Sequence, residues 1–260
     1  MPIRLWDRAG SLPVAADERR RPELVSLAPA ALPSIAELFT FMRDAELRFD
    51  TLRMRIEETS ATAAGDSIVE AEVLIAHPGR ARVTTTEPNG GLTGNYDIWL
   101  SDGSRVRTYS ARARLATDRP TRIPVRGADA MDLPGFARVY RPLTALPMES
   151  LPDLFVHPGG YCQNVLATGR CDVVGTTETA DREAVLVRSA HPRAVERWAD
   201  RPDFAVELAV DRETGCILRL TELMSDIATR DARVVVFEPD TPLPPVAFEL
   251  AVPEGTTTIF

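Results

Sequence analysis

Two runs of alternating apolar and polar residues near the C-terminus constrain the fold most strongly. They are residues 204–211 (FAVELAVD) and 216–223 (CILRLTEL), and residues 212–215 (RETG) join them. A period of two is the period of a β-strand, and a short polar link containing Gly is typical of a hairpin turn. An antiparallel sheet normally has one apolar face that another element must cover. The sequence therefore predicts a mainly β protein with a covered antiparallel sheet.

The same period of two recurs through most of the chain and predicts further strands. They lie at residues 51–59, 68–76, 81–87, 96–100, 105–110, 173–178, 183–190 and 232–237. Residues 101–104 (SDGS) form a Gly-containing turn between two of them, which indicates a second hairpin.

One amphipathic helix is predicted before the first strand. Ser34 is a favourable N-cap and Glu37 follows at the capping-box spacing. We expect the helix to extend over residues 35–50 and to place Leu38, Phe39 and Met42 on the sheet. The charged residues Asp44, Glu46 and Arg48 are interpreted as its solvated face.

An insert at about residues 111–160 interrupts the strand pattern. It contains seven prolines between 120 and 158, which disfavour interior strands and long helices. It is too apolar for a solvated linker. We expect one or two short helices with proline boundaries, packed as a lid across the open face of the sheet.

Length and charge limit the classes of protein. The 260 residues suffice for a single domain over 31–260, preceded by a flexible arm at 1–30 that is rich in Pro, Ala and Arg. The net charge of −8 argues against nucleic acid as a partner and against an anionic membrane surface. All 30 basic residues are arginine, so Schiff-base and P-loop lysine chemistry is excluded.

The sequence as written predicts a cytoplasmic protein. Residues 1–21 have no apolar stretch long enough for a signal peptide, and no run of 18 apolar residues could form a transmembrane segment. Export to the cell envelope is the alternative if the N-terminus is incomplete.

The order of these elements resembles the LolA-like superfamily of lipoprotein carriers, which includes regulators of the RseB type. The matching sequences lie within residues 33–255. They are the predicted helix with TLRMRIEET, the hairpin YDIWL-SDGS-RVRTYS, REAVLVRSA, AVDRETGCILRLTEL and the ending VVVFEPDTPLPPVAFELAVPEG.

The resemblance implies a strongly curved sheet, or half-barrel, around a helical plug, with a cavity for a lipid or another hydrophobic small molecule. Removal of each methylene from water contributes about 0.8 kcal/mol, so such a site needs no catalytic residue. The cavity and lid candidates are Leu38, Phe39, Met42, Trp99, Leu133, Phe136, Tyr140, Leu154, Phe155 and Trp198.

Residues 155–171 (FVHPGGYCQNVLATGRC) contain the one cluster of residues suited to chemistry. A disulfide between Cys162 and Cys171, or two buried inert thiols, is one interpretation. A metal site formed by His157, Cys162 and Cys171, with His191 as a further candidate ligand, is another, although the spacing matches no common zinc motif. Thiol catalysis by Cys162 with His157 is the third.

The leading functional hypothesis is therefore non-catalytic binding or carriage of a hydrophobic ligand. The first alternative is an RseB-like regulatory module with a protein partner. The second is a thiol- or metal-dependent enzyme at His157, Cys162 and Cys171. No nucleotide-binding or metalloprotease motif is present, so no cofactor is expected.

Overall fold

The computed structural model describes residues 24–28, 31–63, 65–88, 95–121, 142–192 and 201–259. These residues form three α-helices, several short 3₁₀ helices and twelve strands in one sheet. The helices are α1 (Ile35–Arg43), α2 (Leu151–Val156) and α3 (Gly159–Asn164). The strands are β1 (Thr51–Thr62), β2 (Gly65–Ala76), β3 (Arg80–Thr86), β4 (Tyr96–Asp102), β5 (Arg105–Ser110), β6 (Leu115–Pro120), β7 (Arg170–Thr179), β8 (Arg182–Ala190), β9 (Phe204–Asp211), β10 (Ile217–Met224), β11 (Ile227–Pro239) and β12 (Thr257–Ile259).

The sheet is antiparallel except at one edge, as the alternating runs predict. Its order is β12-β6-β5-β4-β3-β2-β1-β11-β10-β9-β8-β7, and only β12 with β6 is parallel among these strands. The predicted C-terminal hairpin is β9 and β10, joined through Gly215 with a φ of 81°. The mainly β fold class is thus confirmed.

The sheet is strongly curved and open. In a flat sheet β7 and β11, which lie four positions apart, would be separated by about 19 Å. Their Cα atoms nevertheless approach within 8 Å, so this end of the sheet curls back on itself. No ladder joins β7 to β12 within the described residues, and the half-barrel remains unclosed.

Helix α1 begins as predicted but ends earlier. Ser34 accepts from the backbone N–H of Glu37, and the Glu37 carboxylate accepts from the backbone N–H of Ser34. The predicted continuation to residue 50 is wrong, because Asp44 leaves the helical region with φ −102° and ψ 21°. The chain then tightens into a 3₁₀ turn at Ala45–Arg48, which turns Glu46 inward to 1% exposure. The interpretation of Glu46 as a solvated residue is therefore corrected.

One strand, β6, lies inside the predicted insert, where the prolines had argued against interior strands. Residues 115–119 carry no proline, and they pair with β5 as the first five residues of β6. Pro120 stands at the end of that strand, where proline is tolerated. The short α2, with Pro152 in its first turn, agrees with the expected proline-bounded helix. Residues 122–141 of the insert lie outside the described residues.

The helices fill one part of the concave face. Leu38 and Met42 of α1 and Phe155 of α2 are fully buried in the main apolar cluster. That cluster includes residues of β1, β2 and β8–β11. The convex side of β4–β6 carries a second, smaller cluster, against which Leu250 of the C-terminal segment packs.

Most of the predicted arm at 1–30 lies outside the described residues. Where the chain is described, Arg48 donates to the carbonyl of Val25 and Arg212 to the carbonyl of Ala28. Among the described helices, none combines the length and the apolar character that a membrane crossing requires.

Candidate functional site

A pocket of about 330 Å³ lies on the concave side of the sheet, next to the part that the helices fill. Strands β3–β6 form one wall, and the chain leading into α2 forms the other. Its lining residues are Val83, Thr85, Asp97, Ile98, Trp99, Thr108, Tyr109, Ser110, Leu115, Thr117, Pro147, Ser150 and Pro152. Ligand sites in proteins occupy about 300–1,000 Å³, so this pocket is sized for one small ligand or a single alkyl chain.

Two register rows supply eight of the ten sheet residues in the pocket lining. The other two, Ile98 and Tyr109, belong to the smaller cluster on the convex side. The first row is Val83, Trp99, Thr108 and Thr117, and the second is Thr85, Asp97, Ser110 and Leu115. Alternate residues of a strand share a face, so both rows point to the same side of the sheet. The Thr108 and Thr117 hydroxyls hydrogen-bond to each other at 2.7 Å. The wall is therefore mixed in character, with hydroxyls, one carboxylate and the half-buried Trp99 indole.

The opposite wall is held by the cap of α2. The Ser150 hydroxyl donates to the carbonyl of Pro147 at 2.6 Å and accepts from the backbone N–H of Asp153. Pro152 lies in the first turn, where a proline needs no amide partner. These bonds fix the segment Pro147–Pro152 over the sheet.

A buried group of three charged side chains anchors the same segment. The His157 Nε2 lies 3.0 Å from the Glu46 carboxylate, and its Nδ1 lies 2.9 Å from Asp153. All three residues are at most 4% exposed. Burial opposes the charged imidazole, but the two carboxylates outweigh it and raise the pKa of His157 to about 9. At neutral pH an imidazolium therefore links α2 to the 3₁₀ turn after α1.

Further bonds attach the chain before α2 to its surroundings. The backbone N–H of Leu143 donates to both oxygens of Glu46, at 3.1 and 3.0 Å. The Thr144 hydroxyl accepts from the backbone N–H of Gly79 at 2.8 Å and lies 2.7 Å from His77 Nδ1. Residues 142–152 of the predicted lid thus form a strap that is fixed to the β2–β3 turn and to Glu46.

The predicted cavity residues divide into three groups. Trp99 lines the pocket and also packs, half-buried, against the main apolar cluster. Leu38, Met42 and Phe155 are buried in the filled core, and Phe39 and Leu154 pack against it half-buried. Leu133, Phe136, Tyr140 and Trp198 lie outside the described residues. The structure thus brings five of the ten candidates together in the core rather than at the pocket.

The Cys/His cluster does not form a nucleophilic pair in the described structure. Both ring nitrogens of His157 face carboxylates, and the Cys162 thiol donates to the Met42 sulfur at 3.7 Å. Burial raises the pKa of Cys162 and raises that of Cys171 to about 11. All three cysteines are free thiols, with Cys162 buried and Cys171 half-buried. Of the two forms of the first interpretation, the structure therefore has the thiols and not the Cys162–Cys171 disulfide. Among the described residues, no group of three or more His, Cys, Asp or Glu side chains could hold a metal ion.

Sequence reasoning missed Glu46, Asp153 and the polar residues of the pocket wall. Asp153 and His157 are four apart, a spacing that places them on one face of a helix. The alternation of Thr108, Ser110 and Leu115, Thr117 on consecutive strands could also have indicated a shared polar face.

Comparison with known proteins gives similarity in fold without close similarity in sequence. No protein-family model and no curated protein matches the chain. Among solved structures, MucB is similar with 14% identity and a TM-score of 0.47 over 84% of this chain. The chain spans 62% of the length of that MucB chain.

Two further solved structures are similar over most of their length. An uncharacterised conserved protein from Thermus thermophilus has 13% identity and a TM-score of 0.46, over 86% of this chain and 98% of its own. A LolA superfamily protein from Nitrosomonas europaea has 9% identity and a TM-score of 0.32, over 84% and 99%. At identities of 9–14%, the likeness to these structures concerns the backbone fold alone. The LolA-like fold expected from the sequence is present in its main elements: an N-terminal helix, an open curved antiparallel sheet and a strap over its concave side.

Proposed function

We propose that the protein binds one small amphiphilic molecule, with a single alkyl chain or comparable apolar part, in the pocket between β3–β6 and the strap before α2. The observation that carries the proposal is the pocket itself, at about 330 Å³ beside the main buried apolar cluster. The binding is non-catalytic, and the protein acts as a carrier or sensor of its ligand.

The mixed lining supports an amphiphile rather than a purely apolar ligand. Trp99, Val83, Leu115 and the two prolines remove apolar surface from water, at about 25 cal/mol per Å². The Thr and Ser hydroxyls on the same wall offer hydrogen bonds to a polar end. Sites of this kind gain affinity from the apolar part and orientation from the few polar groups.

Trp99 offers a direct reporter of binding. The chain has three tryptophans, and the double variant Trp6→Phe/Trp198→Phe leaves Trp99 as the single one. We expect titration with 1-decanol to give a saturable shift of Trp99 emission. An emission that does not respond would contradict the proposal.

A pocket-filling variant and a matched control separate this site from general adsorption. In the single-tryptophan background, Thr117→Phe places an aromatic ring in the pocket, and we expect it to weaken binding at least tenfold. Thr176→Phe makes the same change at an exposed position of β7 and should leave binding unchanged. Ser110→Phe is a second blocking variant, and circular dichroism checks that each variant is folded.

A regulatory module with a protein partner is the second candidate. Among the described strands, none pairs with the outer side of β7, and Val174 on that strand is 50% exposed. An extended segment of a partner can add to such an edge. MucB, one of the structures with a similar fold, has been solved in complex with MucA(peri). This function predicts that the wild type captures a stoichiometric partner and that Val174→Asp does not. Val246→Asp, at another exposed valine, is the control and should retain the partner.

A further inference from the structure

The charged side chains of the pocket lining indicate which class of ligand headgroup can bind there. The lining contains one carboxylate, Asp97, and no basic side chain among the described residues. An anionic headgroup placed there would meet Asp97 and find no described counter-charge within the lining.

Asp97 is available to a ligand. It is exposed at the rim of the pocket, and no described residue forms an ion pair with it. Some other surface carboxylates of the same sheet are paired, for example Asp118 with Arg105 at 2.7 Å and Asp231 with Arg219 at 2.8 Å. Asp97 thus differs from these carboxylates in having no described arginine opposite it.

Trp99 and Asp97 form a pair suited to a cation. They are two residues apart on β4 and share a face, so their Cα atoms are separated by about 7 Å. The face of an indole attracts cations, including quaternary ammonium groups, and a nearby carboxylate adds Coulomb attraction. Thr85 and Ser110 flank Asp97 in the register and supply hydroxyls beside the same headgroup.

We propose that the pocket selects a cationic amphiphile, an amine or quaternary ammonium compound with one alkyl chain, whose headgroup lies between Trp99 and Asp97. This inference rests on the proposed function, since it assigns the headgroup for the same pocket. The alkyl chain then lies against Val83, Leu115 and the strap prolines.

Three ligands with the same chain length test the inference. Decyltrimethylammonium, decanoate and 1-decanol are titrated at pH 7, and Trp99 emission is followed in the single-tryptophan background. The two ions are kept below their critical micelle concentrations and 1-decanol below its solubility limit. An exposed charge pair contributes up to about one power of ten once the loss of attraction and the gain of repulsion are combined. We expect decyltrimethylammonium to bind about tenfold more tightly than decanoate, with decanol between them.

Charge variants assign the preference to Asp97. Asp97→Asn should reduce the ratio of cation to anion affinity at least threefold. Asp66→Asn removes an equal charge from an exposed position of β2 outside the pocket and should leave the ratio unchanged.

The outcomes distinguish the two proposals. Equal or tighter binding of decanoate, or an unchanged ratio in Asp97→Asn, overturns the cationic headgroup and leaves the amphiphile site intact. Absence of saturable binding by all three ligands overturns the proposed function itself.

Discussion

The concave face of the sheet has two parts: apolar residues covered by the helices form one, and mixed residues facing the pocket form the other. The same two register rows pass through both parts. One row passes from β1 to β6 through Met54, Val73, Val83, Trp99, Thr108 and Thr117. Its first members are buried under the helices, with Met54 and Val73 at 0% exposure. Its last members are half-buried hydroxyl-bearing residues that face the pocket. The parallel row changes from Ile56 and Ala71 to Thr85, Asp97 and Ser110.

This difference in side-chain character separates the part of the sheet that stabilises the fold from the part proposed to bind a ligand. The apolar part is covered by buried side chains of α1 and α2, so burial there stabilises the protein. The mixed part is covered by a strap that leaves a pocket. Stability and binding should therefore respond to different mutations.

The largest effect is expected from truncation in the filled part. Phe155 is 0% exposed, and Phe155→Ala should lower the free energy of unfolding by about 3–5 kcal/mol, through lost burial and a residual cavity. Trp99→Ala removes a larger side chain from the pocket wall, but it should cost less than half as much, because Trp99 is only half-buried. Urea unfolding of the two variants gives the comparison. Equal losses would show that the two parts do not differ.

Next in size is the pH dependence of the buried imidazolium. The pKa of His157 is raised to about 9 in the folded protein, against about 6.5 when unfolded. Its stabilisation is thus complete below pH 6.5 and is lost as the pH rises through 9. The difference of about 2.5 units corresponds to a loss on the order of 3 kcal/mol. Urea unfolding at pH 6, 7.5 and 9 measures it.

A pair of histidine variants isolates that contribution. The thiols, whose pKa values are also raised by burial, destabilise the fold above about pH 8.5 in any variant. His157→Asn should therefore remove the part of the slope that lies between about pH 6.5 and 9, and the contribution of the thiols above about pH 8.5 should remain. His191→Asn, at an exposed histidine, should keep the whole slope. Identical slopes in all three proteins would contradict the assigned role of His157.

A smaller effect is expected where α1 meets the C-terminal hairpin. A Cβ on Gly215 would lie 3.1 Å from Phe41 and 3.2 Å from the backbone of Met42, at a φ of 81°. Gly215→Ala should cost about 1–3 kcal/mol through crowding and backbone strain. Gly65→Ala, at φ 111° with nothing within 4 Å, carries the strain without the crowding and should cost less. Thermal unfolding of the two variants decides whether α1 packs as described.

The smallest effect concerns the cysteines. We expect titration with Ellman's reagent to find three thiols in the unfolded chain under non-reducing conditions, and slow reaction of Cys162 and Cys216 in the folded protein because both are buried. Cys171, which is half-buried, should react first. Finding only one thiol after unfolding would favour the disulfide that the sequence suggested.

Local patterns predicted the sheet and the start of α1 well. Residues 204–211 form β9 with the predicted bounds, and the Ser34 capping box is present with both of its hydrogen bonds. These features depend on neighbours in sequence, namely alternation and N-cap chemistry. The LolA-like order of elements could be predicted for the same reason.

The candidate site could not be predicted to the same extent, because it depends on contacts between distant residues. Glu46 and His157 are 111 positions apart, and neither position has a local signal for the pair. The alternation placed Thr108 in a predicted strand, whereas Thr117 lay in the predicted insert. Neither pattern shows which part of the sheet face the helices cover. The apolar residues of α1 were therefore predicted to line a cavity, whereas Leu38 and Met42 are packed in the core.

The most direct test of the separation between a filled and an open part is the location of ligand-induced NMR shifts. Amide and side-chain methyl resonances are recorded during titration of the wild-type protein with 1-decanol. The account predicts shifts at Val83, the Trp99 indole, Thr108 and Thr117, with the resonances of Leu38, Met42 and the Phe155 amide unchanged. Shifts concentrated at Leu38, Met42 and Phe155, or no saturable shifts at all, would contradict it.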